Sequence, residues 1–247
     1  MDRRKFIKTG VVLLAGSSGL YSLRVFEAPN AGASGRSGTG SGIKWGMLID
    51  LDRCSADCTA CVDACRQENN VALFGDERWD IYWIRKVRIE SRDPAGKTKK
   101  WVPLLCNHCD DPPCAQVCPV KATYKRDDGI VIVDQHRCIG CRYCMIACPY
   151  NARFFNYREN HDWPNKKYPR RSHGVAESCN LCAHLLDEGK PPACVAACAQ
   201  YGGAMVVGDL NDPDSEISRR LAANTVKRLR ENLGTEPKVY YAGLPSR

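Results

Sequence analysis

The chain has 247 residues and sixteen cysteines, a length that accommodates one large or two small domains. Its formal charge of +8 is carried by scattered Lys and Arg residues, and without a basic patch we expect no nucleic-acid binding. Phe and Met are sparse, so disulfides or metal centres must replace part of an apolar core.

The N-terminal segment is predicted to be an export signal. Arg3 and Arg4 form a twin-arginine pair, and an apolar run of 15 residues follows from Thr9 to Leu23. A membrane-spanning helix needs about 20 apolar residues, so the shorter run favours a twin-arginine signal peptide over residues 1–33. Residues 34–43 are rich in Gly and Ser and are predicted to be a flexible linker.

This signal predicts a location in the periplasm or on the extracytoplasmic face of the cytoplasmic membrane, and leaves open whether it is cleaved or kept as an anchor. The twin-arginine route carries proteins that are already folded, so cofactors can be inserted in the reducing cytoplasm before export. A thiolate that is bound to a metal is not available for disulfide exchange. The export signal and the many cysteines are therefore compatible.

The sixteen cysteines fall into four groups of four, and every group ends in the spacing C-x3-C. No cysteine is left over, which predicts that all sixteen are metal ligands. Motif 1 is Cys54, Cys58, Cys61 and Cys65; motif 2 is Cys106, Cys109, Cys114 and Cys118; motif 3 is Cys138, Cys141, Cys144 and Cys148; motif 4 is Cys179, Cys182, Cys194 and Cys198.

Short elements are predicted between the motifs. Segments 81–89 and 101–105 form a predicted hairpin through the turn sequence RDPAG. Between motifs 2 and 3, a turn at residues 127–129 precedes a short apolar strand at 130–133. Loop, helix, hairpin, loop and helix in this order are the layout of a ferredoxin.

Motif 3 matches the bacterial ferredoxin run C-x2-C-x2-C-x3-C-P without a mismatch. Three closely spaced thiolates in a tight loop can bind three corners of a cubane [4Fe–4S] cluster. The fourth cysteine lies on the following helix, too far round to reach the same cube, and ligates the other cluster of a pair. Pro149 then turns the chain.

A last helix is predicted to start near Asp212-Pro213 and to stop at Gly234. It either packs on its own domain or docks a partner through its apolar side. That side is formed by Ile217, Leu221, Val226, Leu229 and Leu233.

We therefore predict an α+β, loop-rich fold. It consists of two ferredoxin-like [4Fe–4S] dicluster modules with loop and hairpin insertions over residues 44–210, and a C-terminal helix and tail over residues 211–247. No nucleophile elbow, catalytic carboxylate pair or Gly-rich phosphate loop occurs in the sequence. No catalytic residue is predicted.

Three alternative roles for the cysteines fit the sequence less well. Eight disulfides explain the even count but not the four C-x3-C repeats. Zinc ribbons use two C-x2-C pairs, and the triple spacing of motifs 1 and 3 argues against them. Covalent haem requires C-x-x-C-H, which is absent. Among the histidines, His108 either donates to a cluster sulfur or turns outward, and the other four are predicted to be loop or surface residues.

The four motifs and their linkers resemble the electron-transfer subunits of membrane-bound oxidoreductases, such as those for dimethyl sulfoxide, polysulfide, formate and nitrite. The resemblance spans about residues 44–210. Longer stretches, residues 106–157 with HGVAESCNLCAH and GDLNDPDSEISR, are similar to the DsrO-like iron–sulfur subunits of DsrMKJOP complexes in sulfur metabolism.

The resemblance implies a ligand scheme in which motifs exchange their fourth cysteines. Motif 1 departs from the family pattern, with three residues rather than two between its first two cysteines. In the implied scheme Cys54, Cys58 and Cys61 share a cluster with Cys198; Cys179, Cys182 and Cys194 with Cys65; Cys106, Cys109 and Cys114 with Cys148; and Cys138, Cys141 and Cys144 with Cys118.

The resemblance also implies a function, the relay of single electrons through four [4Fe–4S] clusters. The implied partners are an integral membrane quinone-reactive subunit of polysulfide-reductase type, a multihaem cytochrome c and the other subunits of a DsrMKJOP-like complex. Two alternatives stay open at this point. One is the iron–sulfur subunit of a periplasmic molybdenum or nitrite reductase, and the other is a zinc scaffold without redox activity.

Overall fold

The computed structural model describes residues 42–90 and 99–245. The twin-arginine signal, most of the Gly/Ser linker and the RDPAG turn lie outside these residues. The helices are α1 Ala60–Asn69, α2 Pro113–Gln116, α3 Tyr143–Ala147, α4 Ala183–Asp187, α5 Ala193–Ala199 and α6 Glu216–Ala223, with a 3-10 turn at Glu231–Leu233. Within the two described ranges, every helix is too short or too polar to cross a bilayer.

The strands are short and form one four-stranded sheet and three two-stranded ribbons. Together with the short helices and the long connections they give the mixed α+β, loop-rich architecture that was predicted. The strands are β1 Trp45–Asp50, β2 Arg85–Glu90, β3 Lys99–Leu104, β4 Thr123–Lys125, β5 Val131–Val133, β6 Phe154–Phe155, β7 Ala176–Glu177, β8 Met205–Asp209, β9 Val226–Arg228 and β10 Val239–Ala242.

The four-stranded sheet has the order β8-β1-β10-β9 and brings the first and last described strands together. β1 runs parallel to β10 and antiparallel to β8. Successive residues of β1 are buried on opposite faces. Met47 and Ile49 face the main core, whereas Leu48 packs with Ile217 of α6. The sheet is therefore covered on both sides.

Cysteines form part of the main core, as the shortage of apolar residues predicted. The buried cluster combines aliphatic and aromatic side chains such as Ile49, Trp83 and Tyr241 with thiols from all four motifs. These thiols are Cys61, Cys65, Cys106, Cys148, Cys179, Cys194 and Cys198.

The C-terminal region differs from the predicted single helix and tail. α6 begins after Ser215, whose hydroxyl accepts a hydrogen bond from the Ser218 N–H at 3.2 Å, and it ends at Ala223. Asn224 has extended backbone, and β9 then pairs with β10. The apolar stripe is interrupted because Val226, predicted on the helix, supplies sheet pairing instead. β10 is an interior strand rather than a tail.

The two predicted hairpins are confirmed with shifted ends. β2 pairs antiparallel with β3, but its ladder starts at Arg85, because Ile81 lies in the buried loop that precedes it. β4 pairs antiparallel with β5 around the predicted turn. At that turn Gly129 has φ of +84° and its N–H donates to the Arg126 carbonyl at 2.9 Å.

Candidate metal centre

All sixteen cysteines lie in the described part of the chain, and each carries a free thiol. Each motif has the same local plan. Its first two cysteines lie on a loop, its third enters a helix, and its fourth follows one turn later. Left-handed backbone lets the loops turn tightly. Gly140 of motif 3 has φ of +70°, and a Cβ at this position would overlap the carbonyl oxygen of Gly174.

Site A is the set of thiols around one surface-facing cavity. It contains Cys54, Cys58, Cys61 and Cys198. Burial raises the pKa of the Cys61 thiol to about 12, and the neighbouring Cys198 thiol raises it further. The longer first loop of motif 1 is held by Lys86. Its ammonium donates to the carbonyl oxygens of Ser55, Ala56 and Cys58 at 2.7, 3.0 and 2.6 Å.

Site B joins the last cysteine of motif 1 to motif 4. It contains Cys65, Cys179, Cys182 and Cys194. Burial raises the pKa of Cys65 well above its ordinary value, and the three thiols of motif 4 raise it further. Asn69, one turn beyond Cys65 on α1, donates through Nδ2 to the Cys182 Sγ at 3.4 Å. Packing of α1 on α5 thus brings together cysteines that are more than 110 positions apart.

Site C surrounds a second cavity. It contains Cys106, Cys109, Cys114 and Cys148. Arg153 and Tyr150 line the same cavity. The Arg153 side chain is only 4% exposed, and its Nη2 donates to the Cys114 Sγ at 3.0 Å. The Tyr150 hydroxyl lies 2.5 Å from the Thr235 Oγ1.

Site D lies next to site C. It contains Cys118, Cys138, Cys141 and Cys144. Burial raises the pKa of Cys144; the neighbouring thiols of Cys138 and Cys118 add to this rise. Cys141 lies on the same loop and is the exposed cysteine of the chain. Backbone amides already point at sulfur here. The Thr123 N–H donates to Cys118 Sγ and the Ala176 N–H to Cys138 Sγ, both at 3.4 Å.

The four sites lie in a row. Burial raises the pKa of Cys194 in site B, and the thiols that raise it further include Cys61 of site A. Burial likewise raises the pKa of Cys106 in site C, with a contribution from Cys179 of site B. Cys144 of site D is similarly affected by Cys114 of site C. Neighbouring thiols therefore connect A to B, B to C and C to D.

Exposure follows the same order. All eight cysteines of the inner sites B and C are buried. The cysteines with partial or full exposure belong to the outer sites, where Cys54 and Cys58 are in site A and Cys118, Cys138 and Cys141 are in site D. The row therefore begins and ends at the protein surface.

The donor set fits [4Fe–4S] clusters. A cubane is bound by thiolates at four separate corners, and sites A and C place four thiols around a cavity. Over residues 42–90 and 99–245, no three His, Cys, Asp or Glu side chains converge on the position of one metal ion. A single Zn²⁺ requires such convergence at about 2.3 Å. The Nε and Nη1 of Arg153 are buried without a partner among the described residues, which suits a buried anion.

The histidines separate into one buried residue and four others. His108 is buried, not turned outward, and its Nδ1 accepts the Val131 N–H at 3.0 Å. Burial, with Lys238 and Arg153 nearby, lowers its pKa to about 3, so the ring is neutral and its proton is on Nε2. His136, His161 and His173 are exposed, and His184 contacts Glu68 at 2.9 Å.

Three residues of these sites were missed from sequence. Lys86, Asn69 and Arg153 each reach a site from outside its cysteine loops. No spacing rule marks such a residue. The one available signal was the position of Arg153 shortly after the last cysteine of motif 3.

Fold and sites together define an iron–sulfur protein of ferredoxin type. Residues 98–210 match the model of the 4Fe-4S dicluster domain. The chain is 48% identical over 226 residues to the Hdr-like menaquinol oxidoreductase iron-sulfur subunit 1 of Archaeoglobus fulgidus, covering 81% of this chain and 84% of that protein.

Two further relatives cover similar lengths. A subunit of the tetrathionate reductase of Salmonella typhimurium is 38% identical, covering 98% of this chain and 88% of its own. The menaquinone reductase iron-sulfur cluster-binding subunit of Nitratidesulfovibrio vulgaris is 36% identical, covering 81% and 88%. The chain belongs to the DsrO-like family of [4Fe–4S] electron-transfer subunits, and its cofactors are four [4Fe–4S] clusters.

Proposed function

We propose that the protein relays single electrons along the row A–B–C–D, with one cluster in each site held by the four cysteines of that site. The observation that carries this proposal is the pattern of exposure. The inner sites are sealed, and the two outer sites have surface-exposed cysteines. Such an arrangement lets electrons enter at one end and leave at the other while the inner clusters are kept from solvent.

The row also supports a division into two dicluster modules. Motifs 1 and 4 supply sites A and B, and motifs 2 and 3 supply sites C and D. Within each module the two motifs exchange their fourth cysteine, so Cys198 belongs to site A and Cys65 to site B. When bound, each cluster carries one electron at a time. The protein holds the clusters, excludes water from them and donates hydrogen bonds to their thiolates.

We further propose that the two ends of the row meet different partners. One is an integral membrane quinone-reactive subunit of polysulfide-reductase type, and the other is a multihaem cytochrome c, within a DsrMKJOP-like complex of sulfur metabolism. The names of the menaquinol oxidoreductase and menaquinone reductase relatives support a quinone-linked partner. Arg3-Arg4 supports a location on the periplasmic face of the membrane.

Purification of the native complex tests this function. We expect a membrane subunit and haem c to accompany the chain, and about sixteen irons and sixteen acid-labile sulfides per chain. Addition of a reduced quinol analogue to the complex should reduce the clusters, or reduced clusters should reduce the quinone. A colourless protein loaded with zinc would contradict the proposal.

A second function has one observation in its favour. The tetrathionate reductase relative matches almost the whole chain, which supports service in a terminal molybdenum or nitrite reductase. The same purification distinguishes the two functions. Molybdopterin in a co-purified large subunit, without the quinone-reactive and cytochrome subunits of a DsrMKJOP-like complex, would favour the reductase.

A further inference from the structure

We propose that Arg153 is a fixed positive charge shared by sites C and D, which raises the reduction potentials of the clusters at both sites. This inference rests on the proposed function only in placing a cluster in each of the two sites. It adds a residue that is not a ligand and that determines how readily the inner and outer clusters of this module accept an electron.

The first observation is the place of Arg153. It follows Cys148 by five residues, just before β6, and its side chain turns inward. Its guanidinium lines the cavity of site C, and Nη2 donates to the Cys114 Sγ at 3.0 Å. A charged donor to sulfur withdraws negative charge from the thiolate, and hydrogen bonds to sulfur are one of the ways in which proteins set cluster potentials.

The second observation is that the charge also reaches site D. The guanidinium lies close enough to Cys144 to oppose the rise in its pKa that burial causes. Burial lowers the pKa of Arg153 itself, but the thiols of Cys114, Cys106 and Cys144 outweigh this and raise it. One cation therefore contacts the cysteines of two neighbouring sites.

The third observation is that nothing else in the described residues neutralises this cation. The side chain is 4% exposed, and its Nε and Nη1 have no hydrogen-bond partner there. Lys238 is a useful contrast in the same region. It is equally buried, but its ammonium lies 3.0 Å from the Asp110 carboxylate. An uncompensated buried cation stabilises the more negative, reduced form of a neighbouring cluster, because the local dielectric screens it weakly.

Redox titration of the intact, cluster-loaded protein, followed by electron paramagnetic resonance, tests the inference. In Arg153→Met and Arg153→Gln, two of the four clusters should show a fall of about tenfold in the equilibrium constant for one-electron reduction, which is about 59 mV. The other two potentials should not change. Arg153→Lys retains the charge and should lose less than either neutral variant.

The exposed Arg158 supplies the matched control. It lies over the ring of Trp79 and has the same charge, so Arg158→Gln should leave all four potentials unchanged. Unchanged potentials in a fully loaded Arg153→Gln protein would overturn the inference. So would the failure of both neutral variants to load site C, because Arg153 would then be needed for assembly. The wild-type iron content and its four potentials test the proposed clusters separately.

Discussion

The ammonium of Lys86 lies 2.6 Å from the carbonyl oxygen of Cys58, and it also binds the carbonyl oxygens of Ser55 and Ala56. Lys86 is on β2, whereas these carbonyls belong to the loop of motif 1 that is one residue longer than the family pattern. The extra residue is thus accommodated by a cation from a neighbouring strand. This contact explains how Cys54 still reaches the cavity of site A.

Replacement of Lys86 should therefore weaken site A selectively. In Lys86→Met three carbonyl groups lose their donor, and we expect the iron content to fall from about sixteen towards about twelve per chain. Lys99→Met is the control, because Lys99 is on the adjacent strand and contacts only Glu90, at 3.8 Å. Full iron content in Lys86→Met would show that the loop does not need this donor.

The exchange of fourth cysteines between motifs can be tested with pairs of variants. Cys198→Ser and Cys54→Ser should alter the same cluster signal in electron paramagnetic resonance, because both thiols line the cavity of site A. Cys194→Ser and Cys65→Ser should alter a different signal, because both belong to site B. The scheme would be wrong if Cys198→Ser and Cys194→Ser altered one and the same signal.

Gly140 should be the least replaceable glycine of the cysteine loops. Gly140→Ala places a side chain at φ of +70° and drives its Cβ into the Gly174 carbonyl oxygen. Gly189 has a similar φ of +73° but open space around it. Gly189→Ala should therefore cost only the backbone term, about 1–2 kcal/mol.

Thermal unfolding and iron analysis separate these two glycine variants. We expect Gly189→Ala to keep about sixteen irons with a slightly lower Tm. Gly140→Ala should have a clearly lower Tm and lose the iron of site D, since the loop between Cys138 and Cys141 cannot close. Equal behaviour of the two variants would argue against a role for the Gly174 contact.

The export prediction concerns residues outside the described structure. Replacement of Arg3 and Arg4 by Lys keeps the charge but removes the twin-arginine pair, so the protein should fold, load its clusters and stay on the cytoplasmic side. Cell fractionation with iron analysis measures this. Replacement of Lys5 and Lys8 by Arg is the control and should be exported. Normal export of the twin-lysine variant would contradict the assignment.

The local features of the sites were predictable from the sequence because they depend on short stretches of chain. The spacing of motif 3 is set by which thiolates one loop can present to one cluster, and it predicted the cofactor without any tertiary information. The turn at residues 127–129 was predictable for the same reason. Its Gly129 adopts a left-handed backbone that other residues resist.

Only the tertiary structure decided what depends on contacts between distant segments. Val226 and Leu229 continue a helical apolar pattern, yet β10 offers an edge for hydrogen bonding, and residues 226–228 pair with it. Lys86 and Arg153 have no motif of their own, and their roles come from the cavities that they reach. The order of the sites, and the exposure of only the outer two, likewise follow from packing. Sequence spacing determines which cysteines share a loop, but burial and long-range pairing determine which clusters become neighbours.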